Sequence, residues 1–145
     1  MIAVQQAHTK DQLEAIIALR YKILRQPWAQ AFETSRDDLE ESSVNAFIES
    51  EHAEVIACGR LQENENKIGQ IRYMAVAAEF QGKGLGTLIL NFLEDKANAI
   101  GLETIQLQAR ENAVPFYEAK GYRIKEKSFL LWGIIQHYLM EKNCR

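Results

Sequence analysis

A chain of 145 residues, 47% hydrophobic and 26% charged, can bury a core without disulfide or metal staples and is not a disordered composition. A formal net charge of −3 supplies no global field for a polyanion, so nucleic acid is not an expected partner, and no apolar run is long enough to span a bilayer. Cys58 and Cys144 are far apart and lack metal-ligand or CxxC spacing, which suits two reduced thiols in a cytoplasmic protein with no metal site.

Residues 1–8 carry no basic n-region and no apolar h-region, so no signal peptide is expected. Ile2 to Gln6 can form a short first strand. Thr9 then reads as an N-cap with Gln12 as its capping-box partner. Leu13, Ile16, Ile17, Arg20, Tyr21 and Leu24 recur at helical spacing, which predicts an amphipathic helix over 10–24, closed by Pro27. Residues 27–42 are mixed. Trp28 and Phe32 either line a pocket or close the core. The acidic run Asp37, Asp38, Glu40 and Glu41 is a solvated face or an attractor for a cationic amine.

Strands are expected at 44–49 and 53–61, then a polar turn at 63–66 that makes a hairpin with a strand at 67–76. A Gly-rich turn follows. Beyond it, Leu85, Leu88, Ile89, Phe92, Leu93, Ala97 and Ile100 mark the apolar stripe of a helix that Gly101 stops. A strand is expected over 103–109. Asn112 can cap a short helix carrying Ala113, Phe116 and Tyr117, ended by Gly121. Two strands, 122–127 and 134–140, complete the chain. No repeat or linker divides it, so residues 1–145 read as a single domain with a mixed α/β sheet around one strand–turn–helix–strand unit.

The turn Gln81-Gly82-Lys83-Gly84-Leu85-Gly86-Thr87 joins a buried strand to the strongest helix. Glycines admit a ligand close to the backbone, and a helix start offers unpaired N–H groups with partial positive charge. That is an anion site independent of net charge. Lys83 adds a charge near it or is merely solvated. A Walker A loop would need Ser or Thr after Gly82-Lys83, where Gly84 stands. A dinucleotide fingerprint would need glycine at position 87 or 89, occupied by Thr87 and Ile89.

The turn instead resembles the Q/R-x-x-G-x-G/A pyrophosphate motif of the GNAT superfamily of acyl-CoA N-acyltransferases. Asn112 to Tyr122, with Tyr117, Gly121 and Tyr122, looks like the second signature of that superfamily. Phe129 to Lys142, with Trp132-Gly133-Ile134, His137 and Met140, resembles a bacterial branch. The resemblance is specific over 67–142 and topological over 1–66. It implies a mostly antiparallel α/β sheet with helices on both faces. It also implies transfer of an acetyl group from acetyl-CoA to an amine, small molecule or protein, in a ternary complex without metal.

Under that resemblance, backbone groups of Met74, Ala75 and Val76 meet the pantetheine arm, and Gln81 through Thr87 cradle the pyrophosphate. Tyr117 is the general acid for the thiolate. Asn112 and Phe116 contact the cofactor, although many members place asparagine where this chain has Arg110. The strand 68–76 holds no carboxylate, and Gln70 stands where some relatives keep glutamate. Glu79, His137 or a water relay are then the candidate bases. The alternatives are a non-catalytic acyl-CoA sensor and a nucleotide-binding protein, and a homodimer is open.

Overall fold

In the computed structural model, which describes residues 2–144, the strands are β1 (Gln5–Gln6), β2 (Val44–Glu49), β3 (Val55–Glu63), β4 (Ile68–Val76), β5 (Thr104–Arg110), β6 (Arg123–Leu131) and β7 (Ile135–Asn143). The helices are α1 (Lys10–Arg20), α2 (Leu85–Ala99) and α3 (Val114–Ala119). The strands form one sheet in the order β1-β2-β3-β4-β5-β7-β6. Every neighbouring pair is antiparallel except β4 with β5. This is the mixed, mostly antiparallel α/β sheet the sequence predicts, and α2 is the crossover that makes its one parallel pair possible.

Helix α1 starts as expected. Gln12 N–H donates to Thr9 Oγ1 at 3.1 Å, and Thr9 N–H donates to Gln12 Oε1 at 3.1 Å. Its end differs from the regular helix predicted over 10–24. The α-helix stops at Arg20, and Tyr21–Arg25 form a single π turn. Apolar spacing cannot separate the two forms over so few residues, and π turns concentrate at functional sites. Pro27 sits in the first turn of a short 3-10 segment, Gln26–Trp28, a position that tolerates its missing N–H.

The core lies against both faces of the sheet. Alternation along β3 shows which helix takes which face, since neighbouring strand residues point oppositely. A Cβ on Gly59 would meet Ile89 and Leu93 of α2, whereas Arg60 reaches Asp37 and Glu40 beside α1. So α1 and α2 cover opposite faces. Helix α2 buries Leu85, Ile89, Leu90, Leu93 and Ala97, each large side chain contributing about 1.5–3 kcal/mol. The predicted stripe needs correcting: Leu88 and Ile100 point outward, 40% and 53% exposed, and Leu90 packs inward instead. Strand β6 runs four residues beyond its predicted end. It is an edge strand with Phe129 and Leu130 exposed, so an inward-facing alternation was absent there. Its lysines and two register shifts guard the edge against further pairing.

Charged side chains fill part of the core on the α1 face. Arg20 and Arg60 are fully buried. Arg20 donates to Glu40 Oε2 at 2.9 Å and to Asn45 Oδ1 at 2.7 Å. Arg60 grips both oxygens of Asp37, at 2.7 and 2.9 Å, and its Nη1 lies 2.9 Å from Glu40 Oε2. The acidic run is therefore neither a uniformly solvated face nor an amine attractor. Asp38 and Glu41 are solvated, while Asp37 and Glu40 turn inward because two buried guanidiniums require anions. The Arg60 hydrogen bonds are the main force holding the Asp37 carboxyl at about 2, below its ordinary range.

Candidate functional site

Strands β4 and β5 pair only from Ile68 opposite Thr104 to Ile71 opposite Leu107. Beyond that point they part. The cause lies on the other side of β4, where the pairing with β3 slips between Cys58 opposite Ala75 and Arg60 opposite Arg72. One extra β4 residue is accommodated there, a bulge that bends its strand. Tyr73 takes a left-handed backbone (φ 58°), rare for a side chain of its kind. Gly59, opposite the bulge, makes room for it: a Cβ there would lie 2.5 Å from Met74 Sδ.

The split opens a cleft of about 310 Å³. Met74 and Ala109 flank it, Tyr117 and Ala113 close the α3 end, and Leu24 with Arg25 reaches in from the π turn. Arg72, Arg110 and His137 bring polar heads to it. Tyr117 is buried and packs edge-on against Phe116 and Tyr122, with centroids 5.0 and 5.7 Å away. Burial raises its pKa above the ordinary phenol value, so it stays protonated and able to donate throughout the neutral range.

His137 is buried, stacked on Phe129 at 4.4 Å, with Nδ1 3.0 Å from the Ile135 carbonyl oxygen. A carbonyl can only accept, so Nδ1 carries the proton and Nε2 keeps its lone pair. Desolvation first, then the charges of Arg110 and Arg25, lower its pKa below 6.5. His137 is thus a neutral base at neutral pH.

The Gly-rich turn lies where β4 runs into α2. Gly82 (φ 76°) and Gly84 (φ 81°) are left-handed, and a Cβ on either would meet nothing within 4 Å. The space over the turn is open, as a cradle for a ligand requires. Gly84 is the N-cap of α2, and Leu88 N–H makes the first helical bond, to Gly84 O at 3.2 Å. Among the described residues the amides of Gly82 through Thr87 find no backbone acceptor. These donors fit a pyrophosphate: several unpaired N–H groups follow one another at a helix N-terminus.

The remaining predicted residues fall in varied places. Gln81 Nε2 donates to Val76 O at 3.0 Å, tying the turn to the end of β4 and occupying a carbonyl expected to face the pantetheine. A Cβ on Gly86 would meet Phe116 and Val76 at ordinary contact distance. Lys83 is exposed, its Nζ 5.6 Å from the Phe80 ring centre. Asn112 does not cap α3. It is exposed in a 3-10 turn, and the cap position belongs to Ala113 without a side-chain bond. Glu79 is exposed on the turn 78–80 and does not line the cleft. Trp28 leans on Trp132 at 6.5 Å and Phe32 on Tyr21 at 5.3 Å, so both fasten the α1–β2 loop rather than line the cleft. Sequence reasoning missed Arg25, Arg72 and Tyr73. Arg72 and Tyr73 had one signal, their adjacency on the strand that runs into the Gly-rich turn, and Arg25 had none.

A splayed parallel pair with an open amide turn at its end is the arrangement that the resemblance to acyl-CoA N-acyltransferases implies. The model of the acetyltransferase (GNAT) family matches residues 13–122, and the chain belongs to that family. Among relatives, the uncharacterized N-acetyltransferase YjcF of Bacillus subtilis (strain 168) is 29% identical over 136 residues, covering 93% of this chain and 96% of that protein. A Lactobacillus plantarum crystal structure shares the fold with a TM-score of 0.89 at 17% identity over 99% of both chains. An aminoglycoside 6'-N-acetyltransferase complexed with coenzyme A shares it with a TM-score of 0.80 at 15% identity, covering 100% of this chain and 97% of that one. The protein is an acyl-CoA-dependent N-acetyltransferase.

Proposed function

We propose that acetyl-CoA and an amine meet in the β4–β5 cleft and that the acetyl group passes directly between them. The observation that carries this reading is the succession of three features: the split after Ile71, a cavity lined by both Tyr117 and His137, and unpaired amides at 82–87 where the chain leaves β4. The amides hold the pyrophosphate, with Leu85 and Thr87 at the helix start. Backbone groups of Met74 and Ala75 line the path of the pantetheine, beside Phe116. Asn112 lies at the outer end of that path. An N–H on the open side of β4 is oriented for the oxygen that gains charge in the transition state. Holding both reactants together is the larger share of the rate gain.

His137 Nε2, directly or through a water, takes a proton from the incoming ammonium. The amine nitrogen bonds to the acetyl carbon, the carbon–sulfur bond breaks, Tyr117 O–H protonates the leaving thiolate, and the second proton shed by the nitrogen restores the phenol. The two free thiols fit work in the reducing cytoplasm.

Tyr117→Phe is expected to lower kcat on the order of 100-fold and to leave the Kd for acetyl-CoA nearly unchanged. Steady-state kinetics with calorimetry check this, and an unaltered kcat would remove the acid role. For His137 the sign follows from its lowered pKa. Activity falls as pH drops through a value below 6.5, where the ring gains a proton and ceases to be a base. In His137→Gln that acid limb is expected to vanish from the kcat profile. A variant that keeps the limb would point to another base.

A further inference from the structure

The acceptor end of the cleft has a one-sided charge balance. Among the described residues Arg25, Arg72 and Arg110 line it beside the neutral His137, and no carboxylate does. Arg72 shares Asp37 with Arg60. Arg25 donates to the carbonyls of Thr34 and Leu24 at 3.2 and 3.3 Å, and Arg110 to that of Leu24 at 2.9 Å. Among the described residues neither has a carboxylate partner. Behind them, the Tyr73 ring is faced by Arg20, Arg60, Arg72 and Arg25, with guanidinium carbons 4.3, 5.0, 4.6 and 5.7 Å from its centre. Against these four cations stand two paired carboxylates, Asp37 and Glu40, and Arg110 adds a further cation.

Such crowding is costly out of water. Burial, then the neighbouring arginines, hold Arg25 and Arg110 below the ordinary arginine value, with the Tyr73 hydroxyl opposing the shift only at Arg25. A guanidinium does not lose its proton near neutrality, so relief has to come from an anion. The planar donor fork suits an oxyanion.

We propose that the acceptor is a small primary amine bearing an oxyanion, a carboxylate as in an amino acid, and that Arg25 and Arg110 grip that group. This rests on the cleft being the transfer site. Its volume of about 310 Å³ suits a compact molecule. The same positive field lowers the pKa of the acceptor ammonium and so helps it reach the nucleophilic free amine. A polyamine or aminoglycoside would bring more positive charge into a cleft that already lacks anions.

The test is thiol release from acetyl-CoA with matched acceptors: amino acids, their carboxamides, aminophosphonates and polyamines. Amino acids are expected to exceed their carboxamides by at least about tenfold in kcat/KM. In Arg25→Gln and Arg110→Gln that ratio falls toward one, while Arg110→Lys keeps part of it. The ratio is read on one protein sample, so partial unfolding of a variant cancels. An aminophosphonate that outperforms the carboxylate upholds the oxyanion grip and assigns the anion to the phosphoryl class. Equal or better turnover of carboxamides or polyamines overturns the proposal alone, as does an unchanged ratio in both glutamine variants. Acetyl-CoA that fails to bind by calorimetry, or binds with no thiol released to any amine, overturns the transfer reading and this proposal with it.

Discussion

Gly84→Glu is expected to weaken acetyl-CoA binding on the order of 100-fold or more, with the fold retained. The Cβ would enter open space above the turn, where nothing of the protein lies within 4 Å, and the carboxylate would stand among the free amides of Gly82 through Thr87. Losing two charge-assisted hydrogen bonds at about 1.5 kcal/mol each already accounts for that factor. Left-handed backbone (φ 81°) adds about 1–2 kcal/mol of strain for a side chain. Gly101→Glu is the matched control. It has a similar φ of 84° and equally open surroundings at the far end of α2, so it carries the strain without touching the turn. Calorimetry on both variants, beside their melting temperatures, separates the effects. Tight binding by Gly84→Glu would count against the phosphate cradle.

Glu40→Ala is expected to destabilise the protein by about 3–5 kcal/mol, the usual cost of leaving a buried charge uncompensated. Glu40 Oε2 serves both fully buried arginines, Arg20 and Arg60, each at 2.9 Å, and also accepts from Asp37 N–H at 3.1 Å. At about 2–4 °C per kcal/mol for a chain of this size, the melting temperature falls by roughly 10 °C. Adding Arg20→Met is expected to recover part of the loss, because it removes one of the two cations left without this partner. Thermal unfolding of the single and double variants checks both statements. A surface-like change of under 1 kcal/mol would mean that water reaches this network freely.

The turn proposed to hold the donor was legible because its chemistry is local. Gly82 and Gly84 occupy positions whose positive φ favours glycine, and they stand between an apolar strand and an amphipathic helix, so the unpaired amides follow from sequence alone. Tyr117 was legible for the same reason, within a short helix of recognisable pattern. The acceptor half was not. Arg20 fits an amphipathic stripe, and its full burial depends on Glu40 and Asn45, contributed by segments twenty and more residues away. Asn112 was misread as a cap because the chain enters α3 through a 3-10 turn, which spacing does not reveal.

By itself the sequence determined the order of strands and helices, the capped start of α1 and the glycine-rich turn with its unpaired amides, since each depends on neighbours within a few residues. Only the tertiary structure decided where β4 leaves β5, which nitrogen of His137 stays free, and that the acidic run turns inward. Those outcomes come from a bulge opposite Gly59, a carbonyl beside one ring nitrogen and guanidiniums brought in from α1 and β3. Long-range packing and electrostatics set the bulge and the inward turn of the acidic run, whose partners lie far apart in sequence, while the carbonyl beside the ring, at Ile135, is aimed by the strand that carries both residues.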